Sequence, residues 1–311
     1  MSRVALPREL YALSPARGAF FFLYATALWA LPALAIYGMI RAALPLYALI
    51  PLSALAAMVG GYGVLLAGFV GHDGIHFSLH PNKTVSVVLG ILATAPLVVI
   101  VEMGFALSHW RHHQHLGGES DPDVQIFGKF RSFWLRALFA RPVACNVYAK
   151  NAIFYVLGLG PKYVFPLPAG RLRALTAFNL LACGIFLGLH VLLFLVNPVL
   201  ELSFLIVLLA GSVISGLSPY IEHAGTEDEQ GYETRTATGL WWDVFLFGNN
   251  YHIEHHLYPN LPAYRLKEAY LFLQGAGYYD GRRPLSHGLL DTYRYTSGRY
   301  PYGNEQKKLR A

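Results

Sequence analysis

Four stretches of this chain are apolar for long enough to cross a bilayer, and this limits what its backbone can do there. Inside the hydrocarbon core every peptide group must find its partner within the protein, so only helices and closed barrels span it. The runs lie at about 18–40, 43–70, 174–196 and 199–221. Each is about the 20 residues a spanning helix needs and twice the length of a barrel strand. The fold class that follows is an all-α integral membrane protein. Composition agrees: 55% of the 311 residues are hydrophobic and 14% are charged, against about 25% charged in a soluble domain. The chain reads as a single membrane-embedded domain over 1–311.

Histidines sit at the ends of these runs. Eight of the 13 fall into three clusters: His72 and His76, then His109, His112 and His113, then His252, His255 and His256. A ninth, His223, follows the last run. Residues at i, i+3 and i+4 share one helical face, so HxxxH and the two HxxHH clusters can each aim their rings at a common point. Imidazole binds iron, copper, zinc and nickel, and nine rings exceed the three or four protein ligands of one zinc ion. Two metal ions are the simplest reading. Asp73, Glu222, Asn250 and Glu254 lie beside these histidines, where a polar neighbour can accept the second ring N–H and fix the tautomer.

Histidines that share a site must lie on one side of the membrane, which sets the topology. The second run ends at His72 and the next cluster begins at His109, so the apolar stretch at about 85–107 cannot cross once. It is expected as a re-entrant or interfacial pair of half-helices, broken near Pro96, with Glu102 buried in protein. Asn197-Pro198 turns the last two runs into a hairpin, which returns the chain to the histidine side. The stretch at about 152–159 is too short to span and is expected at the interface. His190 falls far down a span, and His80, His115 and His287 lie outside the set. The segment 277–311 reads as a tail of loop or weak order.

On this topology only Arg41, of 24 Lys and Arg, lies in a loop on the far side. Cytoplasmic loops carry such an excess, so the helical cap holding the histidines is expected in the cytoplasm (the inner membrane of a bacterium). The net charge of +6 is thereby accounted for by topology and needs no nucleic-acid partner. The first run exceeds a signal-peptide core and reads as a retained span. Cys145 and Cys183 are too few for an iron–sulfur cluster or a disulfide framework.

The motifs resemble those of the membrane fatty acid desaturase and hydroxylase superfamily. His72-Asp-Gly-Ile-His76 with Asn82 and Gly90 is similar to its first histidine box. His109-Trp-Arg-His112-His113-Gln-His115, followed by Asp121-Pro122-Asp123, is similar to the second, and Asn249 to Pro259 to the third. Glu222-His223 is similar to the segment that precedes the third box in bacterial acyl desaturases. Pro219 is a departure, since stearoyl-type enzymes carry an Asn there. The resemblance implies that His72, His76, His109, His112, His113, His223, His252, His255 and His256 ligate two iron ions. It implies an oxidoreductase with O2 as co-substrate that abstracts hydrogen from a lipid or acyl chain to form a double bond.

No flavin, nicotinamide or cytochrome motif is evident, so electrons are expected from a ferredoxin or cytochrome, docking near Lys129, Arg131, Arg136 and Arg141. Trp241, Trp242, Phe245 and Phe247 offer an apolar substrate slot or an interfacial belt. The same boxes fit a carotenoid ketolase or hydroxylase, or another lipid hydroxylase. Outside the enzymes, a metal transporter or a lipid-binding membrane protein remains open.

Overall fold

The computed structural model describes residues 4–98, 100–160, 165–226, 234–280, 285–287, 289–300 and 302. Four helices have the length and apolarity to span a membrane. They are α1 (Pro15–Arg41), α2 (Leu46–Ile75), α7 (Ala169–Val196) and α8 (Pro198–His223). Between α2 and α7 lie α3 (Lys83–Thr94), α4 (Glu102–His115), α5 (Pro122–Phe127) and α6 (Arg141–Leu157). After α8 come β1 (Thr236–Thr238), α9 (Leu240–Leu246), α10 (His252–Leu257), α11 (Ala263–Gly275), β2 (Leu285–His287) and α12 (Leu289–Thr296). The parallel pair of β1 with β2 is the one named sheet among the described residues.

The stretch expected not to cross is bent. Segments Lys83–Leu97 and Glu102–His115 meet at 119°, with Pro96 in a short 3-10 turn between them. A break at membrane depth frees backbone groups, and the neighbouring spans take them up. The Met103 N–H, one of the free donors of the first turn of α4, donates to Asn179 Oδ1 of α7 at 2.8 Å. The Pro96 carbonyl lies 2.9 Å from His190 Nε2, and His190 Nδ1 lies 2.8 Å from Glu201 Oε1. His190 and Glu201 therefore brace the bend. Glu102, expected inside protein, is 1% exposed.

Small residues let these half-helices close on the spans. A Cβ on Gly74 of α2 would lie 2.8 Å from the Gly90 Cα of α3. One on Gly104 of α4 would overlap the Tyr148 carbonyl of α6. The outward faces of the spans stay apolar and exposed, as at Leu181, Leu195 and Val196 of α7, which suits lipid rather than water.

Segment 152–159, expected at the interface, continues α6, with Phe154, Leu157 and Leu159 exposed. The C-terminal region differs from its reading as loop. Its described residues include β2 and α12, and Tyr302 is buried. The reason is Arg136, itself buried, whose guanidinium donates to the carbonyls of Phe130, Tyr295 and Tyr300. Composition shows that Tyr and Arg abound here, but not that one arginine 159 residues away gathers the backbone.

Candidate metal centre

All nine singled-out histidines converge, because the elements carrying them end at the same place. His72 sits in the last turn of α2, with His76 at its C-cap. His109, His112 and His113 occupy the last two turns of α4, and His223 ends α8. His252, His255 and His256 lie on α10. The chain ahead of α10 is fixed by Asn250, whose Nδ2 donates to Ala237 O at 2.8 Å and Asp243 Oδ1 at 3.1 Å.

Ring nitrogens face one another at close range. In one group, Nε2 contacts run His72 to His109, His109 to His113, and His113 to His255, each 3.1 Å. His76 joins it, with its ring centroid 4.6 Å from that of His255. In the other, His223 meets His252 at 3.0 Å and His252 meets His256 at 3.1 Å. His112 joins that group, 4.8 Å from the His223 ring. The groups touch where His113 stacks on His256 at 4.2 Å.

These contacts are not a hydrogen-bond chain. Each Nε2 offers either one hydrogen or one lone pair. The four nitrogens of the first group can therefore form at most two linear hydrogen bonds, while three contacts are present. Both nitrogens of His76 and the Nε2 of His112 are buried with no hydrogen-bond partner among the described residues. Nitrogens about 2.1 Å from a shared metal, at right angles, lie about 3.0 Å apart. The spacing and the orphaned atoms thus fit two cations, one per group. Protonation suits them too: burial first, then the neighbouring imidazoles, hold His252, His255 and His256 well below the usual histidine range. They are neutral, the form that binds metal.

Among the described residues, the carboxylate nearest to any of the nine rings is that of Asp121, which lies outside the four polar neighbours singled out from sequence. Both its carboxylate oxygens lie 2.9 Å from His112 Nδ1, which leaves Nε2 to face the second group. Gly117 N and Asp123 N donate to the same carboxylate at 2.9 Å. Burial alone would raise this carboxyl; His112 and these hydrogen bonds hold it below the ordinary range. The signal in the sequence was the Asp121-Pro122-Asp123 that follows the second cluster. Asp73 Oδ1 lies 3.5 Å from His72 Nδ1, and Glu222 Oε2 lies 3.7 Å from His252 Nε2. Glu254 is engaged elsewhere, accepting from Thr236 Oγ1 and Tyr279 OH. Burial pushes it up to about 7, against the lowering effect of both hydroxyls.

Both groups open into one cavity of about 90 Å³, through His72 and His109 on one side and His112, His223 and His252 on the other. Val64, Leu65, Gly68, Phe69 and Ile100 give it an apolar wall, and Arg141, Ser215, Ser218 and Glu222 a polar one. The expected slot at Trp241, Trp242 and Phe245 is not part of it. Trp241 is 68% exposed, and Phe247 instead stacks on Phe21 at 5.2 Å. A short helix has room for only one inward face, and α9 turns its aromatic face outward. Two of the four basic residues proposed for donor docking also lie inside: Arg136 holds the C-terminal backbone, and Arg141 donates to Ser215 Oγ. His80 and His115 bond locally, to Asn82 N and Arg111 O.

Four helices of spanning length and a buried to half-buried cluster of nine imidazoles define a helical membrane protein organised around a metal-type histidine centre. A family profile described as fatty acid desaturase matches residues 45–285, and the chain belongs to that family. It is 30% identical over 178 residues to a sphingolipid delta(4)-desaturase/C4-monooxygenase of Rattus norvegicus, a match covering 56% of this chain and 50% of that protein. It is 28% identical over 242 residues to a dihydrorhizobitoxine desaturase of Bradyrhizobium elkanii, covering 67% and 64%. A human sphingolipid delta(4)-desaturase is 27% identical over 178 residues, 56% and 50% of the two chains. These matches span about half to two thirds of each relative's length.

Proposed function

We propose that this protein is an O2-dependent di-iron desaturase of lipid acyl chains. The observation that carries the reading is the pair of buried imidazole groups opening into one part-apolar cavity. His72, His76, His109, His113 and His255 would hold one iron, and His112, His223, His252 and His256 the other. Iron so held supplies the activation of O2 that abstracts hydrogen from an unactivated methylene.

The chain's own residues do the rest. Asp121 keeps the proton of His112 on Nδ1 and its Nε2 free. The wall from Val64 to His72 rises about 12 Å along α2 and lays an alkyl chain against both groups. Displacement of water by that chain keeps the site dry, and its register selects which carbon is presented. An error of about 1 Å in that register suffices to change the outcome. Hydroxylation is the competing reading, since one relative's name couples desaturase with C4-monooxygenase.

The histidine end faces the cytoplasm on the charge argument above. An external ferredoxin or cytochrome reduces the site, using the exposed Lys129 and Arg131. Charge reversal at both should raise the donor's apparent KM, and an unchanged KM removes that patch from the proposal.

The deciding experiment is lipid analysis of a desaturase-deficient host expressing the chain, with His255→Ala as control. A new unsaturated acyl chain that vanishes in the variant supports the proposal. A hydroxylated product supports the competing reading. An unchanged lipid profile, with the protein expressed and a donor supplied, overturns both.

A further inference from the structure

The two imidazole groups are unequal. The first contains five rings and the second four, namely His112, His223, His252 and His256. The shortfall lies at the cavity wall, where α8 ends in Glu222-His223. The Glu222 oxygen lies 3.7 Å from His252 Nε2, and its donor atom falls within 4.8 Å of the ligand atoms of both His223 and His252. We propose that the Glu222 carboxylate is a ligand of the second metal, completing the four-nitrogen group with one oxygen. This rests on the two-metal reading above and deepens it.

Three observations support the assignment. The first is aim. Glu222 Oε1 accepts from Ser218 Oγ at 3.2 Å, one turn back on the same helix. That bond spends one oxygen and leaves Oε2 turned to the imidazoles. The separation from His252 exceeds the about 3.0 Å edge of a shared coordination shell by about 0.7 Å, which rotation of the glutamate side chain covers. The second is competition. Pro219 lines the same stretch of cavity and has no polar side-chain atom to contribute. Asn249, also on the wall, has its amide anchored by Nδ2 to the Leu246 carbonyl, and its remaining oxygen carries no charge. Arg141, the cation on the wall, gives its guanidinium to Ser215.

The third is charge. Imidazole ligands bring no negative charge to two divalent ions. Buried charge is costly unless paired, and bound cations dominate the electrostatics of their site. Asp121 answers part of this from behind His112. Asp123 falls beside His109 and His112, and Glu222 is the carboxylate that faces His223 and His252 of the second group.

The test uses full-length protein loaded with 57Fe in detergent, as wild type, Glu222→Gln and Glu222→Asp. Mössbauer spectra and iron per chain are the readouts. Wild type is expected to bind two irons per chain and give two quadrupole doublets of equal area. Glu222→Gln should shift one doublet, leave the other in place, and loosen one of the two irons by 10- to 100-fold in chelator competition. Glu222→Asp, which keeps the carboxylate, should return the shifted doublet toward its wild-type position. A purely structural role would not move one doublet alone.

Spectra and chelator resistance identical to wild type in Glu222→Gln overturn the proposal. Wild type that binds a number of irons other than two overturns instead the two-metal reading beneath it. If Glu222→Gln does not fold, infrared difference spectra of wild type with 13C-labelled glutamate decide. A carboxylate stretch that moves on iron loading supports the ligand, and no movement refutes it.

Discussion

Replacing Asp121 by Asn exchanges one carboxylate oxygen for an NH2 group, and the structure shows why that small change should matter. Both oxygens face His112 Nδ1, and each also accepts a backbone N–H, from Asp123 on one side and Gly117 on the other. Whichever way the amide turns, its NH2 meets one of those two donors, and a buried or half-buried donor is left unpaired. That costs about 1–3 kcal/mol of folding stability. The amide NH2 also competes for His112 Nδ1. Where it donates, the ring proton moves to Nε2, the atom that faces the second imidazole group, and that nitrogen can no longer bind metal. Loss of such a partner typically weakens metal affinity or activity about 10- to 100-fold, or about 1.4–2.8 kcal/mol. Chelator competition against the iron-loaded protein, with a thermal melt alongside, measures both effects. Asp123→Asn is the control, because its carboxylate is 3.8 Å from His112 Nδ1 and its effect should be smaller. Iron retention in Asp121→Asn equal to wild type, or weaker retention in the control, would refute the orienting role.

Other consequences are checked by simpler means. Gly104→Ala pushes a methyl into the Tyr148 carbonyl, so α4 and α6 must part, and the melting temperature in detergent should fall by the equivalent of about 1–3 kcal/mol. Gly184→Ala, with nothing within 4 Å, should leave it unchanged; equal melts for both would discount the close approach. Asn179→Ala strips the acceptor from Met103 N–H and should cost about 1–3 kcal/mol, seen as faster hydrogen exchange at the start of α4. Gly68 lines the cavity, and a Cβ there would meet Ile100 Cδ1 at 3.8 Å. Gly68→Leu should therefore fold normally while shifting the product profile toward shorter chains. A profile identical to wild type would place the substrate elsewhere.

The difference between what was legible and what was not follows the range of the interactions. Spanning runs, the hairpin at Asn197-Pro198 and the bend at Pro96 are local properties, set by hydropathy over about 20 residues and by the backbone limits of proline. The clusters HxxxH and HxxHH are likewise local, because helical spacing alone puts their rings on one face. Asp121 was visible as part of a motif, but its partnership with His112 depends on a turn after α4 that brings position 121 back over position 112. The aromatic run at 241–247 looked like a cavity lining because composition does not say which way a short helix faces. Arg136 and Arg141 looked like surface charge for the same reason. Their engagement inside the protein requires carbonyls of Tyr295 and Tyr300, or Ser215 of α8, to arrive from far along the chain.

The sequence by itself therefore determined a helical membrane protein with its histidines gathered at one end. It did so because crossing a bilayer leaves the backbone few choices and ligands of one site must share a side. Only the tertiary structure decided how nine rings divide into five and four, that Asp121 orients one of them, that Arg136 holds Tyr295 and Tyr300, and that Tyr302 packs on His223. Each of these depends on contacts between residues that are distant in the chain, set by helix packing rather than by any pattern within a segment.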